Sequence, residues 1–243
     1  MNGDPCYPDL ASLPVTVDGV NLVVPPQQGR GVVEDCLRDT GDGCVTIKAG
    51  KDQEAWRIGR PCENVVVRYC RAIGGHGIFV IGSEMSGGVR NIYVHDCQSD
   101  GTNRGVRIKS RRGRGGAVEN IYVRDVAVGN VRREAIDITM RYDGEPAERA
   151  VNYEQTHANS TATPIFRNLH FSNIGCGYAA VAAQIEGLPD QPIEDLTMEN
   201  VVIAAERGMS IKGVKGLHLD RLTVVPRQGP TLTLSDVQDV TIG

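Results

Sequence analysis

Four side chains that can do chemistry lie in short segments of similar pattern. Asp42 precedes the apolar stretch CVTIKAG, His76 lies in GGHGIFVIG, and Arg107 and Lys109 lie in GVRIKS. An arginine beside a lysine suits a carboxylate, because a guanidinium can hold both carboxylate oxygens. Glycine follows the aspartate, at Gly43, where a hydrolytic site calls for a second carboxylate. The set predicts a site for an anionic ligand. Whether that site can catalyse hydrolysis without the second carboxylate is an open question.

The same residues occur at one phase of consecutive repeats. In a strand, residues i and i+2 share a face, so Arg107 and Lys109 project together. If the repeats stack, Asp42 and His76 line that face as well. Residues 104–114 hold six cations and no acid in a chain of formal net charge −4, a local basic cluster that favours an anionic ligand. The alternatives are two turn residues and a solvated basic surface, and the shared phase favours a site.

Two motifs alternate along the chain and predict its fold. The first recurs as ENVVVRYC, RNIYVHDC, ENIYVRDV, RNLHFSNI, EDLTMENV, KGLHLDRL and QDVTIG, at intervals of 21 to 29 residues with one of 48. The second follows after 13 to 15 residues, as GIFVIG, GVRIKS, AIDITM, GMSIKG and TLTLSD. Both alternate with period two and are β-branched, which predicts strands. Units this short must stack about 4.8 Å apart to bury a face, which predicts a parallel β-helix. A β-propeller, with repeats of about 40 residues, is the rival.

Two kinds of residue recur at fixed positions of the first motif. Its anchors are Asn64, Asn91, Asn120, Asn168, Asp195, Gly216 and Asp239. We expect the asparagines to form a buried ladder in which each side chain pairs with the next coil. Its terminal cysteines are Cys36, Cys70 and Cys97. Cysteines at one phase favour small stacked core residues over disulfides.

The chain of 243 residues is interpreted as one β-helix domain, residues 1–243, with an atypical segment 1–30 followed by repeat coils 31–243. The acidic net charge argues against a nucleic-acid partner. The sequence contains no run of 18 apolar residues, so no membrane span is predicted. The start, MNGDPCYPDL, has neither the basic nor the apolar region of a signal peptide. The oligomeric state stays open.

Two segments interrupt the repeats. Residues 50–63 contain the only tryptophan, Trp56, and residues 141–164 are polar, with a glycosylation sequon at Asn159. Loops of this length in a compact solenoid are usually functional.

Three short motifs in order resemble glycoside hydrolase family 28, the polygalacturonases and their relatives. TGDG at 40–43, GHG at 75–77 and RIK at 107–109 match the family's marks, and Tyr142 follows where its tyrosine is expected. The resemblance runs from about residue 31 to the end of the chain, and VIGSEMSGGVRN and RRGRGG resemble the bacterial exo-acting branch. It implies an all-β, right-handed parallel β-helix, secreted or periplasmic, that hydrolyses α-1,4-galacturonosyl linkages of pectin with inversion. No cofactor or metal is implied.

The resemblance assigns a role to each matching residue. Asp42 is the general acid and His76 tunes or orients it. Arg107 and Lys109 bind the galacturonate carboxylate, and Tyr142 helps to hold the sugar.

The chain departs from the family pattern at the water-activating carboxylates. Gly43 replaces the second aspartate, and TVDGVN offers Asp18, 24 residues before Asp42, as the nearest match to the Asn-Thr-Asp motif. Asp39 is a further candidate, expected across the turn. The early coils and the N-terminal cap are also missing, so we expect an N-terminally truncated member.

Other functions remain open beside the hydrolase. A non-catalytic galacturonan-binding β-helix would keep the cations and the tyrosine without the acid pair. Pectate lyases share the fold but depend on Ca²⁺ and an arginine base, and the Gly-His-Gly motif and Asp42 speak against them. A structural solenoid would leave the basic cluster without a ligand.

Overall fold

The computed structural model describes residues 44–142 and 162–243, together with the backbone of three strands before Cys44. In chain order the elements are β1 (Val20–Leu22), β2 (Gly31–Glu34), β3 (Leu37–Asp39), β4 (Val45–Ile47), α1 (Asp52–Ile58), β5 (Cys62–Arg68), β6 (Arg71–Ile73), β7 (Phe79–Ile81), β8 (Val89–Asp100), β9 (Val106–Lys109), β10 (Ala117–Asn130), β11 (Glu134–Thr139), β12 (Ile165–Glu186) and β13 (Ile193–Ile242). The chain is a right-handed parallel β-helix, as the repeats and the family resemblance together predict.

Every strand pairing in the described part of the chain is parallel. The second motif forms the succession β1, β4, β7, β9, β11 and then the later parts of β12 and β13. We call the outer side of this succession the cleft face. The first motif forms a second face, through β2, β5, β8, β10, β12 and β13. A third face begins with β3 and β6, which pairs with the end of β8.

An isoleucine ladder fixes the register of the cleft face from the inside. Its members, paired in sequence from one coil to the next, are Ile47, Ile81, Ile108, Ile138, Ile185 and Ile211. Each is fully buried, and each contributes about 1.5–3 kcal/mol through burial of its side chain. A slip of one residue would move every isoleucine of a strand to the solvent side. The residues between the isoleucines must therefore point outward.

The asparagine ladder is confirmed, with a different environment from the one predicted. Asn91 Nδ2 donates to Asn64 Oδ1 at 3.1 Å, and Asn120 Nδ2 donates to Asn91 Oδ1 at 3.0 Å. Asn168 Nδ2 continues the row to Asn120 Oδ1. All four have φ between 54° and 59°, a left-handed conformation that asparagine tolerates. The expected burial is wrong: these side chains are exposed or half-exposed, because the next residue of each strand, such as Val65, takes the core side.

The cysteine stack is confirmed for the two members that the structure describes. Cys70 and Cys97 are 4% and 1% exposed. Their sulfurs lie 3.3 Å and 3.2 Å from the carbonyl oxygens of Arg68 and His95. They fill the core as small side chains, and Cys36 lies outside the described residues.

The interruption at 50–63 contains α1, which packs against the loop after β9. The backbone N–H of Asp52 donates to Ser86 Oγ at 2.8 Å, and Trp56 Nε1 donates to the carbonyl oxygen of Arg114 at 3.0 Å. The helix ends at Gly59, whose φ of 62° is left-handed. Within the described ranges no helix is long and apolar enough to cross a membrane. Most of the second interruption, including the Asn159 sequon, lies outside them.

Candidate functional site

Arg107 and Lys109 lie on the cleft face, as their spacing predicts. They alternate along β9 with Val106 and Ile108, which are fully buried. Both cationic side chains are half-buried on the outer side. The strand thus presents two positive charges at neighbouring outward positions.

Tyr142 joins this pair from the end of the next coil. Its backbone N–H donates to the carbonyl oxygen of Ser110 at 3.0 Å. Lys109 Nζ lies 4.5 Å from the centre of the tyrosine ring, and Arg107 Cζ lies 5.5 Å from it. Cations at these distances are attracted to an aromatic face by about 0.5–1 kcal/mol at exposed sites. The three residues assigned to substrate binding therefore form one cluster.

His76 lies at the turn that leads into β7, with an exposed side chain. Its carbonyl oxygen accepts a hydrogen bond from Arg104 N at 3.2 Å. The carbonyl of the following Gly77 accepts from Cys44 N at 2.9 Å. The chain that enters β4 is thus hydrogen-bonded beside His76.

The carboxylates proposed for catalysis are not among the residues whose side chains the structure describes. Asp18, Asp42 and Gly43 lie outside those residues, and their roles stay predictions. Asp39 ends β3, whose backbone pairs with Ile73 of β6 on the third face.

Asp137 is a member of the site that the motifs did not single out. It lies opposite Arg107 in the register of β11 and β9, and Arg107 Nε donates to its Oδ2 at 2.7 Å. Asp137 is 4% exposed. Burial raises the pKa of Asp137 above its ordinary value, an effect that the guanidiniums of Arg107 and Arg104 oppose. The signal was its phase: Asp137 has the same place in AIDITM as Arg107 has in GVRIKS.

Arg104 extends this contact into a buried network of four charges. Its Nε lies 2.9 Å from Asp137 Oδ2 and 2.6 Å from Glu134 Oε2. Burial lowers the pKa of Arg104, and the nearby charge of Arg107 acts in the same direction. Two carboxylates balance two guanidiniums, so the network orients Arg107 while it adds no net charge.

Much of the basic cluster 104–114 forms ion pairs within the protein, which its sequence did not reveal. Arg112 contacts the carboxylate of Asp190, and Arg114 Nη1 lies 2.8 Å from Asp52 Oδ1. With Arg104 and Arg107, at least four of its six cations pair with acids from other coils in the described part of the chain. The segment itself contains no acid, and the acids that pair with it come from distant parts of the chain. Within it, the Arg107–Lys109 pair is what contacts Tyr142.

The chain was compared with known sequences and structures. The profile of glycosyl hydrolases family 28 matches residues 28–223. A probable polygalacturonase of Vitis vinifera is 28% identical over 89% of this chain and 44% of its own length. A polygalacturonase of Ralstonia nicotianae is 33% identical over 55% of this chain and 24% of its own length. The chain spans less than half the length of these relatives.

Two solved structures share the fold. A hyperthermoactive exopolygalacturonase from Thermotoga maritima superimposes with a TM-score of 0.64 and 30% identity, over 87% of this chain and 41% of the other. A family 28 exopolygalacturonase from Yersinia enterocolitica gives a TM-score of 0.69 at 19% identity, over 87% of this chain and 36% of the other, and bears on the fold alone. Since the family profile covers most of its coils, the chain belongs to glycosyl hydrolases family 28.

Proposed function

We propose that this chain carries the active-site face of a polygalacturonase, which hydrolyses α-1,4-galacturonosyl linkages of pectin with inversion and acts from a chain end. The observation that carries the proposal is the cluster of Arg107, Lys109 and Tyr142 in a member of family 28. Exo action is supported by the resemblance of two loops and by the name of the Thermotoga maritima structure, which is 30% identical. A secreted or periplasmic location remains a prediction from the family.

The cluster suits a galacturonate residue. A guanidinium has five N–H donors, and Asp137 takes the one at Nε of Arg107. The Nη groups are left to grip a carboxylate from two sides, and Lys109 adds a second charge. Tyr142, which lies over both cations, contributes an aromatic wall and a hydroxyl for the sugar.

The proposed chemistry needs an acid and a base on opposite sides of the bond. Asp42 protonates the glycosidic oxygen as it leaves, and His76 orients that acid. Asp18 takes a proton from the water that attacks the anomeric carbon, which inverts its configuration. Inverting glycosidases hold the two carboxyls about 6.5–9.5 Å apart, with room for this water.

The pairing of β1 with β4 supports Asp18 in this role. Val20 of β1 is in register with Val45 of β4. In the sequence Asp18 precedes Val20 by two residues, and Gly43 precedes Val45 by two. Counted along the sequence from these paired strands, Asp18 therefore corresponds to Gly43, the position at which the family has its second aspartate.

Release of reducing ends from polygalacturonate and from digalacturonate tests the proposal, with the wild type beside Gly43→Asp. We expect turnover by the wild type, which Asp42→Asn abolishes and Asp18→Asn lowers by about 10²–10⁴-fold, the usual contribution of a general base. Activity confined to Gly43→Asp would show that the native chain lacks its base.

The second candidate is a galacturonan-binding β-helix without catalysis, and the glycine at position 43 is what favours it. Calorimetry with oligogalacturonates separates the two functions. Binding by both wild type and Gly43→Asp without release of reducing ends would leave the binder and eliminate the hydrolase.

A further inference from the structure

A cavity with a mixed polar and apolar lining opens on the cleft face, farther along the solenoid than Arg107 and Lys109. Its volume is about 310 Å³. The polar side chains that line it include Gln184, Arg207, Ser210 and Gln228, and Val181 and Met209 contribute apolar surface. Amides, a hydroxyl and a cation over an apolar patch suit a charged sugar better than a purely apolar ligand.

The strand register places this cavity in line with the first cluster. Arg107 pairs with Asp137, Asp137 with Gln184, and Gln184 with Ser210. Successive coils are about 4.8 Å apart, so three steps carry the row about 14 Å along the axis. A polymer that lies along the cleft face from Arg107 reaches the cavity after a few coils.

Arg207 is the residue that gives this cavity its charge. It lies opposite Val181 in the register of β12 and β13. In the described coils it has no carboxylate within ion-pair distance, unlike Arg104 and Arg107, which share Asp137. The acid that also lines the cavity, Glu134, lies 2.6 Å from Arg104 Nε. The cavity therefore offers a positive charge that no described protein group neutralises.

We propose that this cavity is a second uronate subsite, in which Arg207 binds the carboxylate of another galacturonate residue of the same polymer. Gln184, Ser210 and Gln228 then hydrogen-bond to its hydroxyl groups. The inference rests on the proposed function, because it is the same substrate that spans both sites. Its consequence is chain-length dependence: hexagalacturonate engages both cations, whereas digalacturonate is too short to do so.

Calorimetric titration of di- and hexagalacturonate tests the subsite. The titrations use the full chain with Asp42→Asn, which prevents turnover. We expect Arg207→Ala to weaken hexagalacturonate binding about 10- to 100-fold, the range for a lost charge-assisted hydrogen bond. It should also reduce the advantage of the hexamer over the dimer. Ser210→Trp, which fills the cavity and leaves Arg207 in place, should have the same effect.

The control variants distinguish the outcomes. Arg227→Ala removes an exposed arginine that lies over Tyr178 instead, and it should bind like the parent. Hexamer binding that is unchanged in Arg207→Ala but lost in Arg107→Ala would overturn the subsite and leave the proposed function. No binding of either oligomer by the parent would overturn both. If Arg207→Ala weakened the binding of a fully methyl-esterified hexamer by the same factor, the role of Arg207 as a carboxylate ligand would be overturned.

Discussion

Replacement of Asp137 by alanine is expected to destabilise the fold through the two arginines that it leaves behind. Asp137 Oδ2 lies 2.7 Å from Arg107 Nε and 2.9 Å from Arg104 Nε. Arg104 is 6% exposed, so its charge cannot reach bulk water without a change in the coil. The variant therefore removes a shared counter-ion from a buried site.

The size of the effect follows from what remains in the network. Loss of one partner of a buried ion pair costs about 3–5 kcal/mol. Glu134 still lies 2.6 Å from Arg104 Nε, and half-buried Arg107 can turn toward solvent. We therefore expect a loss of about 2–3 kcal/mol, below that range. For a chain of this size each kcal/mol lowers the melting temperature by about 2–4 °C, so the expected decrease is about 4–12 °C.

Thermal melting and urea unfolding of Asp137→Ala, beside the wild type, measure this loss. Asp137→Asn keeps an acceptor for Arg107, so its stability should lie between those of Asp137→Ala and the wild type. Glu199→Ala is the surface control: its partner is Arg221, and the two side chains are 48% and 61% exposed. Such exposed pairs contribute about 0–1 kcal/mol. The double variant Arg107→Ala/Asp137→Ala should lose less free energy of unfolding than the sum of the losses in the two single variants, because the two groups interact directly.

A melting temperature of Asp137→Ala within about 1 °C of the wild type would refute this reasoning. It would mean that the two guanidiniums find equivalent solvation without the carboxylate. If Asp137→Ala melted as expected but the double variant lost the full sum, the destabilisation would have a source other than the pair.

Three further predictions concern the ladders and the core. Asn120→Ala should cost about 2–4 kcal/mol in urea, from a left-handed backbone and two lost hydrogen bonds. Asn120→Gly, which tolerates the φ of 56°, should cost about half as much, and equal losses would contradict the conformational argument. Ile138→Ala should cost about 2–5 kcal/mol, as for other buried isoleucines, and a loss below about 1 kcal/mol would show that the ladder does not hold the coils. Burial raises the pKa of Cys176 to about 11, so iodoacetamide at pH 8 should label it only after unfolding, as mass spectrometry can test. Because this pKa is raised, the stabilisation that comes from the neutral thiol is complete below about pH 9 and is lost as the pH rises through about 11. Labelling of Cys176 in the native state at pH 8 would contradict the raised pKa.

The cationic part of the candidate site was predictable because its residues are close in sequence. Arg107 and Lys109 are two positions apart, and in a strand that spacing places them on one side. Tyr142 came from the family resemblance, and the structure brings it to the two cations. The ion pairs of Arg112 and Arg114 were not predictable, because their partners Asp190 and Asp52 are remote in the chain.

The coil is specified by the amino-acid sequence alone. The period-two alternation and the recurrence of motifs after 21 to 29 residues specify strands and their stacking, because both are local properties of the chain. The anchors of the ladder were likewise visible as recurring asparagines. Which charges meet depends on how the coils pack in three dimensions. Register between coils depends on connections of unequal length, and Asp137 reaches Arg107 and Arg104 across a coil of 30 residues. Alternation also left open how exposed each outward side chain is. The structure shows that the asparagine ladder lies at the surface. Burial and ion pairing arise from the packing of successive coils, and no single repeat contains that information.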